Sequence, residues 1–170
     1  MLKIISRQRK ATLPVFTLLV LLLNTPAFPA FAAEEGEHAF PHHHLSVLMG
    51  YALERKREED ENAIAIGFDY EYRYQEYWGI GGFGEWLDSD TQRDFTAGAT
   101  VNWHPVGGWA VFAGPGVEFT PTKDKFLLRA GVGYEFELQN DWTLGAKAIY
   151  DLIEGGNQTY VLGIDVGRNF

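Results

Sequence analysis

The chain has no cysteine, which excludes disulfides and thiolate chemistry outright. Beyond residue 32 it also lacks any apolar run approaching the roughly twenty residues a membrane-spanning helix needs. Serine is scarce in that part: Ser46 and Ser89 are its two hydroxymethyl side chains. Base is in short supply too, with Lys+Arg 14 against Asp+Glu 23 and a formal net charge of −9. A chain this acidic has no electrostatic footprint for nucleic acid. What is left is packing and backbone pairing as sources of stability. If the chain crosses a membrane, a closed barrel is the one way to satisfy its backbone there.

The N-terminus reads as a segment to be removed. Lys3, Arg7, Arg9 and Lys10 precede an uncharged apolar run over residues 11–23, and Ala30-Phe31-Ala32 supplies small residues around a cleavage point. A run of about thirteen residues is too short to span a bilayer, so residues 1–32 are expected to be a cleaved export signal. Losing its four bases takes the net charge to −13. Residues 33–43 follow as an acidic, histidine-containing periplasmic lead-in, and residues 44–170 as one folded domain.

That domain falls into eight segments of two-residue periodicity, the strand signature. Over residues 64–74 one face is Ile64, Ile66, Phe68, Tyr70, Tyr72 and Tyr74, and the other is Ala65, Gly67, Asp69, Glu71 and Arg73. Residues 95–105, 109–119, 126–138 and 142–152 alternate likewise, and so does the last segment, with Tyr160, Leu162, Ile164 and Val166 against Thr159, Gly163, Asp165 and Gly167. Residues 45–53 and 78–86 alternate more weakly. The connections differ by turns. Residues 54–62, 87–94, 120–125 and 154–158 are polar and mostly longer, whereas 75–77, 106–108 and 139–141 are tight. Long loops on one side and short turns on the other predict a closed eight-stranded antiparallel up-and-down transmembrane β-barrel, an all-β fold with both termini on the short-turn side.

With strand direction alternating, Tyr74, Trp78, Trp103, Trp109, Phe136, Trp142 and Phe170 fall at one rim. Tyr51, Trp86, Phe95, Phe119, Phe126, Tyr150 and Tyr160 fall at the other, with Val47, Ala97, Ala99, Val111, Ala113, Ala130 and Ala146 between. Two such girdles are what the two bilayer interfaces select. A soluble, lipocalin-like barrel has no reason to sort aromatics by height.

Export signal, eight short amphipathic strands and a terminal phenylalanine together resemble the small outer-membrane barrels of the OmpA/OmpX type. The resemblance implies the outer membrane of a Gram-negative bacterium, with outer-membrane lipid, lipopolysaccharide and the barrel-assembly machinery as partners. It also implies that Tyr160, Leu162, Ile164, Val166 and Phe170 carry the signal that machinery reads. Arg168 departs from the apolar residue usual at its step, and near an interface an arginine can snorkel at a cost of about 0–1 kcal/mol.

The inward face concentrates charge: Asp69, Glu71, Glu85, Glu118, Glu135, Glu137, Asp151 and Asp165, with Arg73, Arg129 and Lys147 among them. Eight strands enclose a space that side chains just fill, so a salt-bridged, partly hydrated plug is expected. The inward glycines leave room either for water or for the long side chains. An acidic lumen admitting cations is the alternative. His42, His43 and His44 form a compositional metal signal, although consecutive residues of an extended chain point alternately. Apart from weak divalent metal there, no cofactor is expected, and no small-molecule ligand is specified. Catalysis is not expected. Glu135 and Glu137 as an acid–base pair carry no support beyond spacing. A lipid A-modifying enzyme would need serine and histidine on the outer surface, whereas Ser46 and His44 share an inward register near the periplasmic end. The loop charges, Glu54 to Glu61 and Asp88 to Asp90, suit either a solvated surface or contact with lipopolysaccharide phosphates and bridging cations.

Overall fold

The computed structural model describes residues 41–56, 60–89 and 93–170. The expected export signal and most of the lead-in lie outside the described residues. Eight strands follow one another: β1 His43–Arg55, β2 Asp60–Gln75, β3 Trp78–Ser89, β4 Arg93–Trp103, β5 Trp109–Phe119, β6 Lys125–Glu137, β7 Trp142–Ile153 and β8 Asn157–Asn169. Each pairs with its chain neighbour and β1 closes on β8, a closed barrel with every pairing antiparallel. The seam runs from His44 opposite Asn169 to Arg55 opposite Gln158. Below it, the His43 amide donates to the Phe170 carbonyl at 3.1 Å and the Phe170 amide returns a bond to His43 at 2.9 Å. The Phe170 ring stacks on His43, centroids 5.5 Å apart. The last residue is thus part of the closure.

The turns follow from local chemistry. The turn from β6 to β7 is a 3₁₀ turn, Gln139–Asp141, with Asn140 and Asp141 at positive φ, a conformation short polar side chains tolerate. Gly155 and Gly156, at φ 93 and 88, turn β7 into β8, a geometry a Cβ would strain.

At the opposite end the strands outrun the sequence reading. The stretch 54–62, expected as loop, continues the ladder with Glu54 opposite Glu61 and Arg55 opposite Asp60. Likewise Leu87 pairs with Asp94 and Asp88 with Arg93. Once a strand leaves the bilayer its outward residues need not be apolar, so polarity there conceals a ladder that is intact. In the middle of β5 the ladder lapses. Register with β4 is kept at Gly98–Gly116 and Val101–Ala113, and the pairs between them fail at Pro115, which has no N–H to donate.

The exterior is apolar and banded. Leu162 and Ile164, at mid-height on β8, are 67% and 62% exposed. At the upper rim Trp86 lies against Phe95 at 4.8 Å, Phe95 against Phe119 at 5.9 Å and Tyr150 against Tyr160 at 5.1 Å. At the lower rim Trp78 meets Trp103 at 6.3 Å and Trp109 meets Tyr134 at 5.1 Å. Arg168 sits over the Trp142 ring at 6.0 Å, within the lower girdle.

Candidate functional site in the barrel lumen

Inward side chains of different strands meet in the lumen, where they sort by height. Nearest the short-turn end, His104 Nε2 lies 2.7 Å from Glu71 Oε1. Arg73 bridges Glu71 and Glu135 at 3.6 and 3.4 Å. His44 is buried beside them, with Nε2 3.0 Å from Thr143 Oγ1 and Nδ1 3.7 Å from Glu135 Oε1. One step up, Lys147 Nζ donates to Asp69 Oδ2 at 3.0 Å and Ser46 Oγ at 3.3 Å, with Asp165 Oδ2 at 3.4 Å.

Arg129 organises the next layer. It grips Asp151 with two bonds, Nε to Oδ1 at 2.8 Å and Nη2 to Oδ2 at 2.7 Å, and Nη2 also donates to Glu85 Oε1 at 2.8 Å. Its guanidinium lies 3.9 Å from the centroid of the Phe83 ring. A planar fork matched to a carboxylate and stacked on an aromatic is where arginine outperforms lysine.

Apolar side chains share the interior with the ion pairs. Leu48, Ala52, Ala63, Ala65, Leu87, Ile149 and Val161 form a buried apolar cluster inside the barrel, with Phe112 against it. Phe83, Leu127 and Ile153 form a second. Inward glycines make space for large neighbours. A Cβ on Gly79 would strike the Glu71 carboxylate, one on Gly145 the Asp165 carboxylate, and one on Gly131 the Phe112 ring. A cavity of about 40 Å³ remains, lined by residues including His44, Asp69, Glu71, Arg129, Glu135 and Lys147. One water claims about 30 Å³.

At the opposite mouth, carboxylates return. Glu54, Asp94 and Glu118 are buried, with oxygens all within 4.8 Å of one another. Lys56 Nζ contacts Glu54 Oε2 at 3.1 Å and Glu61 Oε2 at 2.8 Å, and Lys125 Nζ donates to Glu118 Oε2 at 2.9 Å. Burial works against the Lys56 charge, but the bonds to Glu61 and Glu54 outweigh it and hold its pKa above the usual lysine value.

No family model matches the sequence, and no curated protein does. Solved structures do match the fold. Neisserial surface protein A superposes with a TM-score of 0.63 at 9% identity, over 76% of this chain and 97% of that one. Ail, the attachment invasion locus protein of Yersinia pestis, gives 0.54 at 15% identity over 76% and 99%. OprG from Pseudomonas aeruginosa gives 0.50 at 11% over 76% and 97%. This chain has the fold of the small outer-membrane β-barrels. At such identities the shared property is architecture, and the lumen side chains of this barrel speak for themselves.

In this outer-membrane-type barrel, Asp69, Glu71, Arg73, Glu85, Arg129, Glu135, Lys147, Asp151 and Asp165 come together as a lumen network, and Glu118 joins the mouth cluster instead. Glu137, expected with them, lies apart: β6 ends there, and its side chain stands exposed at the short-turn rim. The three histidines disperse. His42 Nδ1 lies 2.9 Å from the Arg73 carbonyl, His43 Nδ1 lies 2.7 Å from the Tyr70 hydroxyl, and His44 enters the lumen. Tyr160, Leu162, Ile164, Val166 and Phe170 are all exposed on the lipid side. The sequence reading missed Glu54, Asp94 and His104 as parts of the lumen. Parity was the available signal: Glu54 follows Ala52, and Asp94 precedes Thr96, at the two-residue step of an inward face.

Proposed function

We propose that this protein is a non-enzymatic barrel of the Gram-negative outer membrane, exported by a cleaved signal, with a structural role in envelope integrity. The observation that carries the reading is the filled lumen. Two stacked ion-pair layers, centred on Lys147 and Arg129, and an apolar layer occupy the interior, and the cavity beside them is about 40 Å³. Such a filling among the described residues supports a lumen closed to a continuous water path, and moving its charges apart would expose carboxylates to an uncompensated burial cost. A non-catalytic role is supported by the serines. Ser46 is buried in the lumen against Lys147, away from the lipid face, and Ser89 lies near Glu61 at the mouth. Lipid, lipopolysaccharide and the assembly machinery are the partners this reading requires, and the exposed apolar face of β8 ending in Phe170 is the surface it offers to assembly.

Planar-bilayer recordings on the refolded mature chain, first shown to migrate differently on gels when unboiled, test this. The expected result is heat-modifiable insertion without discrete conductance steps. Cation-selective steps would overturn the filled-lumen reading and point to transport through the acidic interior.

A further inference from the structure

We propose that the extracellular mouth of the barrel holds one divalent cation of the calcium type, bound by Glu54, Asp94 and Glu118 with the Thr96 hydroxyl. The three carboxylates come from β1, β4 and β5, strands far apart in sequence, and are 3%, 4% and 3% exposed. Oxygens ligating one Ca²⁺ at about 2.3–2.6 Å can stand up to about 5 Å apart across the ion, and all three groups offer oxygens within 4.8 Å of one another. The lysines do not use up this capacity. Lys56 and Lys125 each contact the Oε2 of their carboxylate, leaving the Oε1 of Glu54 and Glu118 for another partner.

A second, independent observation concerns Thr96. It is 1% exposed, and its Oγ1 has no hydrogen-bond partner. It lies on the inward face of β4, two residues from Asp94, and stands directly opposite Glu118 of β5 in the register. A hydroxyl buried without a partner costs about 1–3 kcal/mol, and a hard cation shared with the adjacent carboxylates would supply one. The donor set is oxygen throughout, which selects Ca²⁺ or Mg²⁺ over zinc or copper, and the spacing favours the larger ion.

Calorimetric titration of the refolded mature barrel with CaCl₂ alone, after chelator treatment, tests the site. The expected result is one saturable equivalent per chain, with Mg²⁺ alone binding more weakly. Asp94→Asn and Glu118→Gln are each expected to weaken Ca²⁺ at least tenfold. Thr96→Val, which removes a ligand without burying a new charge, is expected to weaken it several-fold, and it decides the matter if the carboxylate variants fail to show heat-modifiable folding. Asp60→Asn with Asp124→Asn, exposed acids outside the cluster, should leave binding unchanged. No saturable heat up to about 10 mM, above the weakest extracellular calcium modules, would overturn the proposal. So would binding that survives Thr96→Val unchanged, or that follows the Asp60 and Asp124 pair.

Discussion

Arg129 is the residue on which most of the buried charge depends. Its two carboxylate partners are each 1% exposed, and neither has water to fall back on. Arg129→Met keeps the volume and removes the charge, leaving Glu85 and Asp151 buried together. Such broken pairs cost about 3–5 kcal/mol, which urea unfolding in micelles would read. Adding Glu85→Gln and Asp151→Asn to the variant is expected to recover much of the loss, because the penalty belongs to the abandoned charges rather than to missing contacts. Lys56 offers a pH test at the same scale. Its folded pKa is raised by Glu61 and Glu54 against the opposing pull of burial. A raised pKa means stability that is fully present below the unfolded value, about 10.4, and lost as pH rises through the higher folded value. The stability difference between the parent and Lys56→Met should therefore be flat from about pH 7 to 9 and shrink above about pH 10.5. A difference that already changes between about pH 7 and 9 would show that another group governs it.

Among the strands, β5 is the one with a flaw written into it. Pro115 faces outward and leaves Ala99 and Thr100 of β4 without partners on β5. Pro115→Val restores a donor and suits a pleated, lipid-facing position, so it should raise stability by about 1 kcal/mol, the net worth of one hydrogen bond, seen as a higher urea midpoint. The strands also show what a sequence can and cannot reveal. Two-residue alternation exposed all eight, their facing and the height of the aromatics, because outward residues answer to lipid and each does so alone. Strand ends were concealed where Glu54, Glu61, Asp88 and Arg93 extend the ladder beyond the apolar band, since charge there is compatible with loop and strand alike. β1 and β3 blurred for a different reason. Leu48, Phe83 and Leu87 are apolar on the inward face, so alternation faded where both sides of the strand are apolar. Which acid meets which base was illegible. Arg129 finds Glu85 across 44 positions and Lys147 finds Asp69 across 78, pairings set by register and closure around the whole barrel rather than by local pattern.

At the scale of the molecule, the bilayer is the solvent that makes this inside-out arrangement stable, and depth within it should be measurable along a single strand. On the outward face of β8, Ile164 lies midway between the girdles, while Arg168 already sits near the lower one over Trp142. Both positions share strand, face and flanking strands, so they differ chiefly in depth. An arginine near the midplane of a transmembrane barrel costs about 2–4 kcal/mol, falling to about 0–1 kcal/mol near the interface. Ile164→Arg should accordingly destabilise the folded barrel in lipid vesicles by the larger amount, and Arg168→Ile should gain no more than the smaller. In detergent micelles, whose apolar region is thin and deformable, the contrast should narrow. Equal costs at both positions in vesicles would mean that β8 does not traverse the bilayer from girdle to girdle. The graded outcome would instead tie the banding of aromatics, the bare aliphatic belt between them and the polar filling of the lumen to one cause, the replacement of water by hydrocarbon around a closed sheet.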